Sequence, residues 1–62
     1  MNNDLIIIDD DLPFRDRLAR SMEKKGFNVE TFGNVKLSVK RINEKKFDYA
    51  IVDMRLEDGS GL

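Results

Sequence analysis

The run LIIIDDD, residues 5–11, places four aliphatic side chains in a row and then three carboxylates side by side. Leu5, Ile6, Ile7 and Ile8 are apolar at every position rather than at every second one. A strand with one wet face alternates. An unbroken aliphatic run bounded by polar residues suits a strand covered on both faces, as at the centre of a parallel sheet. Asp9, Asp10 and Asp11 pose the opposite problem. Adjacent carboxylates repel one another and are poor formers of a strand interior, so something besides the backbone has to offset their charge.

Outward from this run the elements alternate. In DDLPFRDRLARSMEKKG, residues 10–26, Asp11 can cap a helix, Pro13 suits the first turn where its missing N–H is harmless, and Asp16 lies near the positive end. Phe14, Leu18 and Met22 recur every four residues with Ala19 beside them, giving one apolar stripe. Lys24 and Lys25 suit the negative end, and Gly26 can adopt the left-handed conformation that stops a helix. FNVETF, residues 27–32, alternates and reads as a half-exposed edge strand. Gly33 and Asn34 break it, and Asn34 can cap a second helix with Val35, Val39 and Ile42 inward and Lys36, Lys40, Arg41 and Glu44 outward. FDYAIVDM supplies a third, mostly apolar strand centred on Tyr49 to Val52, and RLEDGSGL follows as a loop. The spacing thus predicts strands over about 5–9, 27–32 and 48–53 and helices over about 12–25 and 35–45. This β-α-β-α-β order implies an α/β fold with parallel strands and right-handed crossovers. A wholly apolar first strand and an alternating second one predict the sheet order 2-1-3.

Composition narrows the chemistry. The chain has 62 residues, enough for one small domain, and 37% of them are charged with a net charge of −1. A domain of this size buries only about 60% of its unfolded surface, so its stability is marginal. Without a basic bias, phosphate-neutralising contact with nucleic acid is not expected of this segment. Cysteine is absent, which fits a reducing cytoplasm, and histidine is absent, which removes His acid–base chemistry and His metal ligands. The opening MNNDLIII has no basic n-region and no run approaches a membrane span, so a cytoplasmic protein is expected.

In an open parallel sheet, ligands bind outside the carboxyl ends of the strands where the strand order reverses. Asp9 and Asp10 follow the first strand, and Asp53 ends the third directly after the apolar Ala50-Ile51-Val52. If those strands are neighbours, the carboxylates converge on a patch about 5 Å across. Such a group would protonate or recruit a cation, and oxygen-only ligands select a hard one, Mg²⁺ foremost. The plainer readings are a helix cap for Asp11, which outweighs a metal role there, and solvated loop carboxylates for Asp9 and Asp10. Asp4, Asp16, Asp48, Glu57 and Asp58 read as surface or capping residues.

The paired acids after the first strand, together with D-x-x-L-x-D-G-x-G from Asp53 to Gly61, resemble the first half of a response-regulator receiver domain. Within that family the chain is similar to the RegA/PrrA branch, which joins a receiver to a C-terminal DNA-binding helix-turn-helix. The resemblance covers residues 1–62 and implies the flavodoxin-like receiver fold, of which this would be the N-terminal half. It implies that Asp53 accepts a phosphoryl group from a sensor histidine kinase. It also implies that Asp10, Asp53 and the backbone carbonyl of Arg55 bind Mg²⁺ directly, with Asp9 acting through metal-held water. Gly59 and Gly61 would let the following loop turn tightly. Glu57 stands where many receivers carry proline, a loop variation that leaves the acids untouched.

The family's later hydroxyl and lysine, its last two strands and any output domain have no counterpart in these residues, so DNA contact would need a domain not present here. A third strand left as an apolar edge, with Tyr49, Ala50, Ile51 and Val52, is a template for pairing. A homodimer or larger assembly through that strand is expected, its antiparallel two-fold pairing giving the order 2-1-3-3′-1′-2′. Two other functions compete with the phosphoacceptor, which is not itself expected to act as an enzyme. One is a partial receiver serving only as a protein-interaction module. The other is a fragment of a small Mg²⁺-dependent phosphohydrolase or phosphotransferase reacting at Asp9.

Overall fold

The computed structural model describes residues 2–53. The chain runs β1 (Asp4–Asp9), α1 (Leu12–Lys24), β2 (Asn28–Phe32), α2 (Val35–Glu44) and β3 (Tyr49–Asp53). The three strands form one parallel sheet ordered β2-β1-β3, as the sequence predicts. The β1–α1–β2 crossover steps to one side of β1, and β2–α2–β3 steps back across it. Right-handed crossovers in opposite directions put the two helices on opposite faces of the sheet. That is why β1 needs no polar face: Leu5, Ile6, Ile7 and Ile8 are all at most 4% exposed.

Local chemistry sets the element ends. Asp11 caps α1, its side chain accepting a hydrogen bond from the Phe14 N–H, and Pro13 occupies the first turn. Asn34 caps α2 in the same way through the Leu37 N–H at 2.9 Å. Gly26 has φ 99°, the left-handed backbone that a side chain would strain, and it ends the α1 turn as expected. Asp16 begins the second turn of α1 rather than the first, so its expected tie to the positive helix end is not made. Asp48 links β1 to β3, with its carboxylate accepting from the Asp4 N–H and its own N–H donating to the Asp4 carbonyl.

The helix faces differ in two places from the expected stripes. On α1, Arg15, Leu18, Ala19 and Met22 are the half-buried positions, while Phe14 lies on the flank at 41% exposure. On α2 the change is larger. Val35, Val39 and Ile42 are exposed, and Ser38 is the residue in full contact with the sheet, at 0% exposure. Its hydroxyl is satisfied locally by donating to the Val35 carbonyl. Arg41, expected to face outward, turns inward with Lys45 to grip Glu30 of β2. Nε and Nη2 of Arg41 take both carboxylate oxygens at 2.7 and 3.0 Å, and Lys45 reaches one of them at 3.2 Å and Asp4 at 3.3 Å. A bidentate guanidinium–carboxylate pair holds its partners in one orientation, which hydrophobic contact alone does not, and this fork decides which face of α2 looks inward.

The Arg41 hydrogen bond, opposed by burial and aided by the hydrogen bond from Lys45, holds the Glu30 carboxyl at about 2, well below its ordinary 4.5. A depressed folded-state pKa stabilises the fold fully above pH 4.5, and that contribution is lost as pH falls towards 2. Partial exposure screens the group, leaving about 1–2 kcal/mol. Urea unfolding at pH 7 and at low pH should show wild type losing that much more than Glu30→Gln over the interval. Equal losses in the two chains would contradict the ion-pair account.

The carboxyl end of α2, the connection after it and the start of β3 border an open groove of about 550 Å³, lined in part by Ile6, Ile42, Phe47, Tyr49 and Ala50. Tyr49 and Ala50 pair with Leu5 and Ile6 at the amino ends of the strands. The groove therefore lies at the opposite end of the sheet from the aspartates. Within the described residues no helix is long and apolar enough to cross a membrane.

Candidate functional site

The strand order reverses at β1, since β2 and β3 flank it on opposite sides, and its carboxyl end is the expected ligand position. Asp9 is the last residue of β1 and pairs in register with Asp53, the last residue of β3. Two carboxylates from separate parts of the chain thus leave the sheet on adjacent strands. Asp10 follows on the bend after β1 and is exposed, as is Asp53.

Each aspartate of the opening triplet has its own surroundings. Asp9 is only 2% exposed. Its Oδ1 accepts a hydrogen bond from the Asp11 N–H at 2.8 Å, closing the turn into α1, while its Oδ2 is buried without a hydrogen-bond partner among the described residues. A buried acceptor left unpaired costs about 1–3 kcal/mol, so this oxygen calls for a partner beyond the described residues. Asp11 is occupied as the helix cap. Among the described residues no three carboxylates are gathered so as to hold a metal ion by themselves. Arg55, Glu57, Gly59 and Gly61 lie outside the described residues.

One residue that sequence reasoning passed over stands beside the aspartates. Arg15 Nη1 donates to the Asp9 carbonyl at 3.1 Å, and its Nε is buried without a partner among the described residues. The signal was its position four residues after the cap and on the same helical face as Leu18, Ala19 and Met22. A charge among inward positions either snorkels outward or finds something at the sheet's end.

The response regulator receiver domain, as a family, matches residues 5–62. The chain belongs to the response-regulator receiver family. Receivers are in general signalling modules rather than enzymes. The chain is 50% identical over 58 residues to the photosynthetic apparatus regulatory protein RegA of Rhodovulum sulfidophilum, covering 94% of this chain and 32% of that protein. It is 48% identical to the RegA of Cereibacter sphaeroides over the same shares. It is 45% identical to the acid tolerance regulatory protein ActR of Rhizobium meliloti, with 94% of this chain and 30% of ActR covered. The chain spans about a third of the length of the curated relatives it matches. No solved structure matches it significantly.

Proposed function

We propose that this receiver segment accepts a phosphoryl group on Asp53 from the phosphohistidine of a sensor kinase, and so controls transcription as part of a longer regulator. The observation that carries the reading is the register of Asp9 and Asp53 at adjacent strand ends, with one Asp9 oxygen buried and unpartnered. The transfer breaks the P–N bond of a phosphohistidine whose other ring nitrogen carries a proton and forms a P–O bond to the Asp53 carboxylate, so that the leaving ring departs as neutral imidazole. The exposure of Asp53 lets a bulky donor approach, while its place at the end of a paired strand fixes the backbone from which the attacking carboxylate projects.

The donor set suits Mg²⁺: it is all oxygen, and a buried acceptor has no partner among the described residues. In this reading Asp10, Asp53 and the Arg55 carbonyl bind the ion directly and Asp9 binds through its water. When bound, Mg²⁺ supplies positive charge to offset the phosphoryl oxygens. Asp9 has a second part, because its Oδ1 anchors the turn that sets Asp10 in place.

Labelling with a small phosphodonor, followed by mapping of the acid-labile adduct, tests the assignment. Label at Asp53 supports it. Absence of label favours a receiver acting only as a docking module, and label at Asp9 favours an unrelated phosphotransferase.

The edge of β3 also supports self-association of the segment. Tyr49 and Val52 are 52% and 60% exposed, and this side of β3 has no neighbouring strand among the described residues. Two copies pairing antiparallel through β3 would give the order 2-1-3-3′-1′-2′. Sedimentation of the 62-residue chain at micromolar concentration should give a dimer or larger species, and a folded monomer there would end this proposal.

A further inference from the structure

The β1–β2 ladder stops at Ile8 paired with Phe32, and β2 itself ends there. On its other side β1 continues one residue farther, to Asp9 paired with Asp53. Asp9 and Gly33, next in the β1–β2 register, share no rung. The Asp9 carbonyl instead takes a hydrogen bond from Arg15 Nη1. The same nitrogen lies 2.7 Å from where a Cβ on Gly33 would stand. The guanidinium therefore fits between the end of β1 and Gly33, replacing the rung that β2 no longer supplies. Among the described residues its Nε is buried there without a partner, a cost borne for the carbonyl contact.

We infer that Arg15 is a positioning residue for the acidic site, seated by the missing side chain of Gly33 and holding the peptide from which Asp9 and Asp10 project. This rests on the metal-site reading above and adds a residue to it. Asp9 is fixed at three points: the β3 register, the Asp11 N–H on its carboxylate and Arg15 on its carbonyl. Freeing the carbonyl lets the peptide to Asp10 rotate, and a direct ligand that must be re-ordered on binding holds its ion less tightly. Gly33 has no positive φ, so alanine is tolerated by its backbone and acts through Arg15. The clash meets the far end of a flexible side chain, which can swing away while keeping its charge. Gly33→Ala thus separates the position of the guanidinium from its presence.

The test is titration of the isotope-labelled chain with Mg²⁺ alone, followed by the backbone amide shifts of Asp9 and Asp10, with Asp53→Asn as the control for the site itself. Arg15→Met and Gly33→Ala should each weaken Mg²⁺ about tenfold. The double variant should be no weaker than Arg15→Met, because both changes remove one contact. A purely structural role would lower the urea midpoint in metal-free buffer and leave Mg²⁺ affinity in the folded chain unchanged. Wild-type binding that Gly33→Ala leaves intact, or losses that add in the double variant, overturns the role of Arg15 alone. A wild-type chain without magnesium-dependent shifts, or an Asp53→Asn chain that binds as tightly, overturns the metal site and this role with it. If Arg15→Met fails to fold, Gly33→Ala still decides the matter.

Discussion

Replacing Asp53 with asparagine is expected to abolish phosphoryl incorporation, lowering the adduct at least about a thousandfold, to background. An amide nitrogen and a neutral carbonyl oxygen are far weaker nucleophiles than a carboxylate, and nothing else on β3 can take over. Asp9 is a poor substitute, since it is buried and one of its oxygens is held by the Asp11 N–H. A second effect has the opposite sign. In metal-free buffer the variant should unfold at higher urea than wild type, because Asp53 ends the strand paired with Asp9 and its removal relieves like-charge repulsion. Intact phosphodonor labelling of Asp53→Asn would refute the acceptor assignment. Equal or lower stability of the variant would instead place the carboxylates too far apart to share a cation.

Ile7→Ala should have the largest effect on folding. Ile7 is 0% exposed and sits mid-strand in β1, paired with Thr31 on one side and Ile51 on the other. Truncation removes buried methyl and methylene groups and leaves a cavity that a three-stranded sheet cannot close, at about 2–5 kcal/mol. A chain this small has about 3–9 kcal/mol in all, so the variant should be largely unfolded at 37 °C or retain a shallow urea transition. Val52→Ala is the control: at 60% exposure it should cost less than about 0.5 kcal/mol. Near-equal circular-dichroism urea midpoints for the two variants would show that β1 is not the core.

The sheet was legible because its signals are local and redundant. Four aliphatic residues without alternation can be covered only from both sides, and that fact alone put β1 in the centre. Asp11, Asn34 and Gly26 marked helix ends by chemistry acting within a few residues, and the structure places all three as read. That Asp9 and Asp53 end neighbouring strands was readable from the strand order, and the structure adds that they pair in register. The α2 face was not legible. Val35, Val39 and Ile42 made a better apolar stripe than Ser38, Arg41 and Lys45, and periodicity had no means of weighing an ion pair formed with Glu30 eleven residues before Arg41. Arg15 was missed for the same reason, its partners being a backbone carbonyl and an absent side chain at Gly33.

By itself, then, the sequence determined the order of elements, the central strand, the helix caps and the strand ends that carry the aspartates. Each depends on hydrophobicity or hydrogen bonding between near neighbours, and these act the same way wherever the segment goes. Only the tertiary structure decided that Asp9 is buried with one oxygen unpaired among the described residues, that Arg15 donates to the Asp9 carbonyl, and that α2 is held by charge with its apolar side exposed. Those outcomes rest on distances between groups far apart in the chain, where a hydrogen bond of 3 Å or a missing Cβ chooses among arrangements that composition leaves equal.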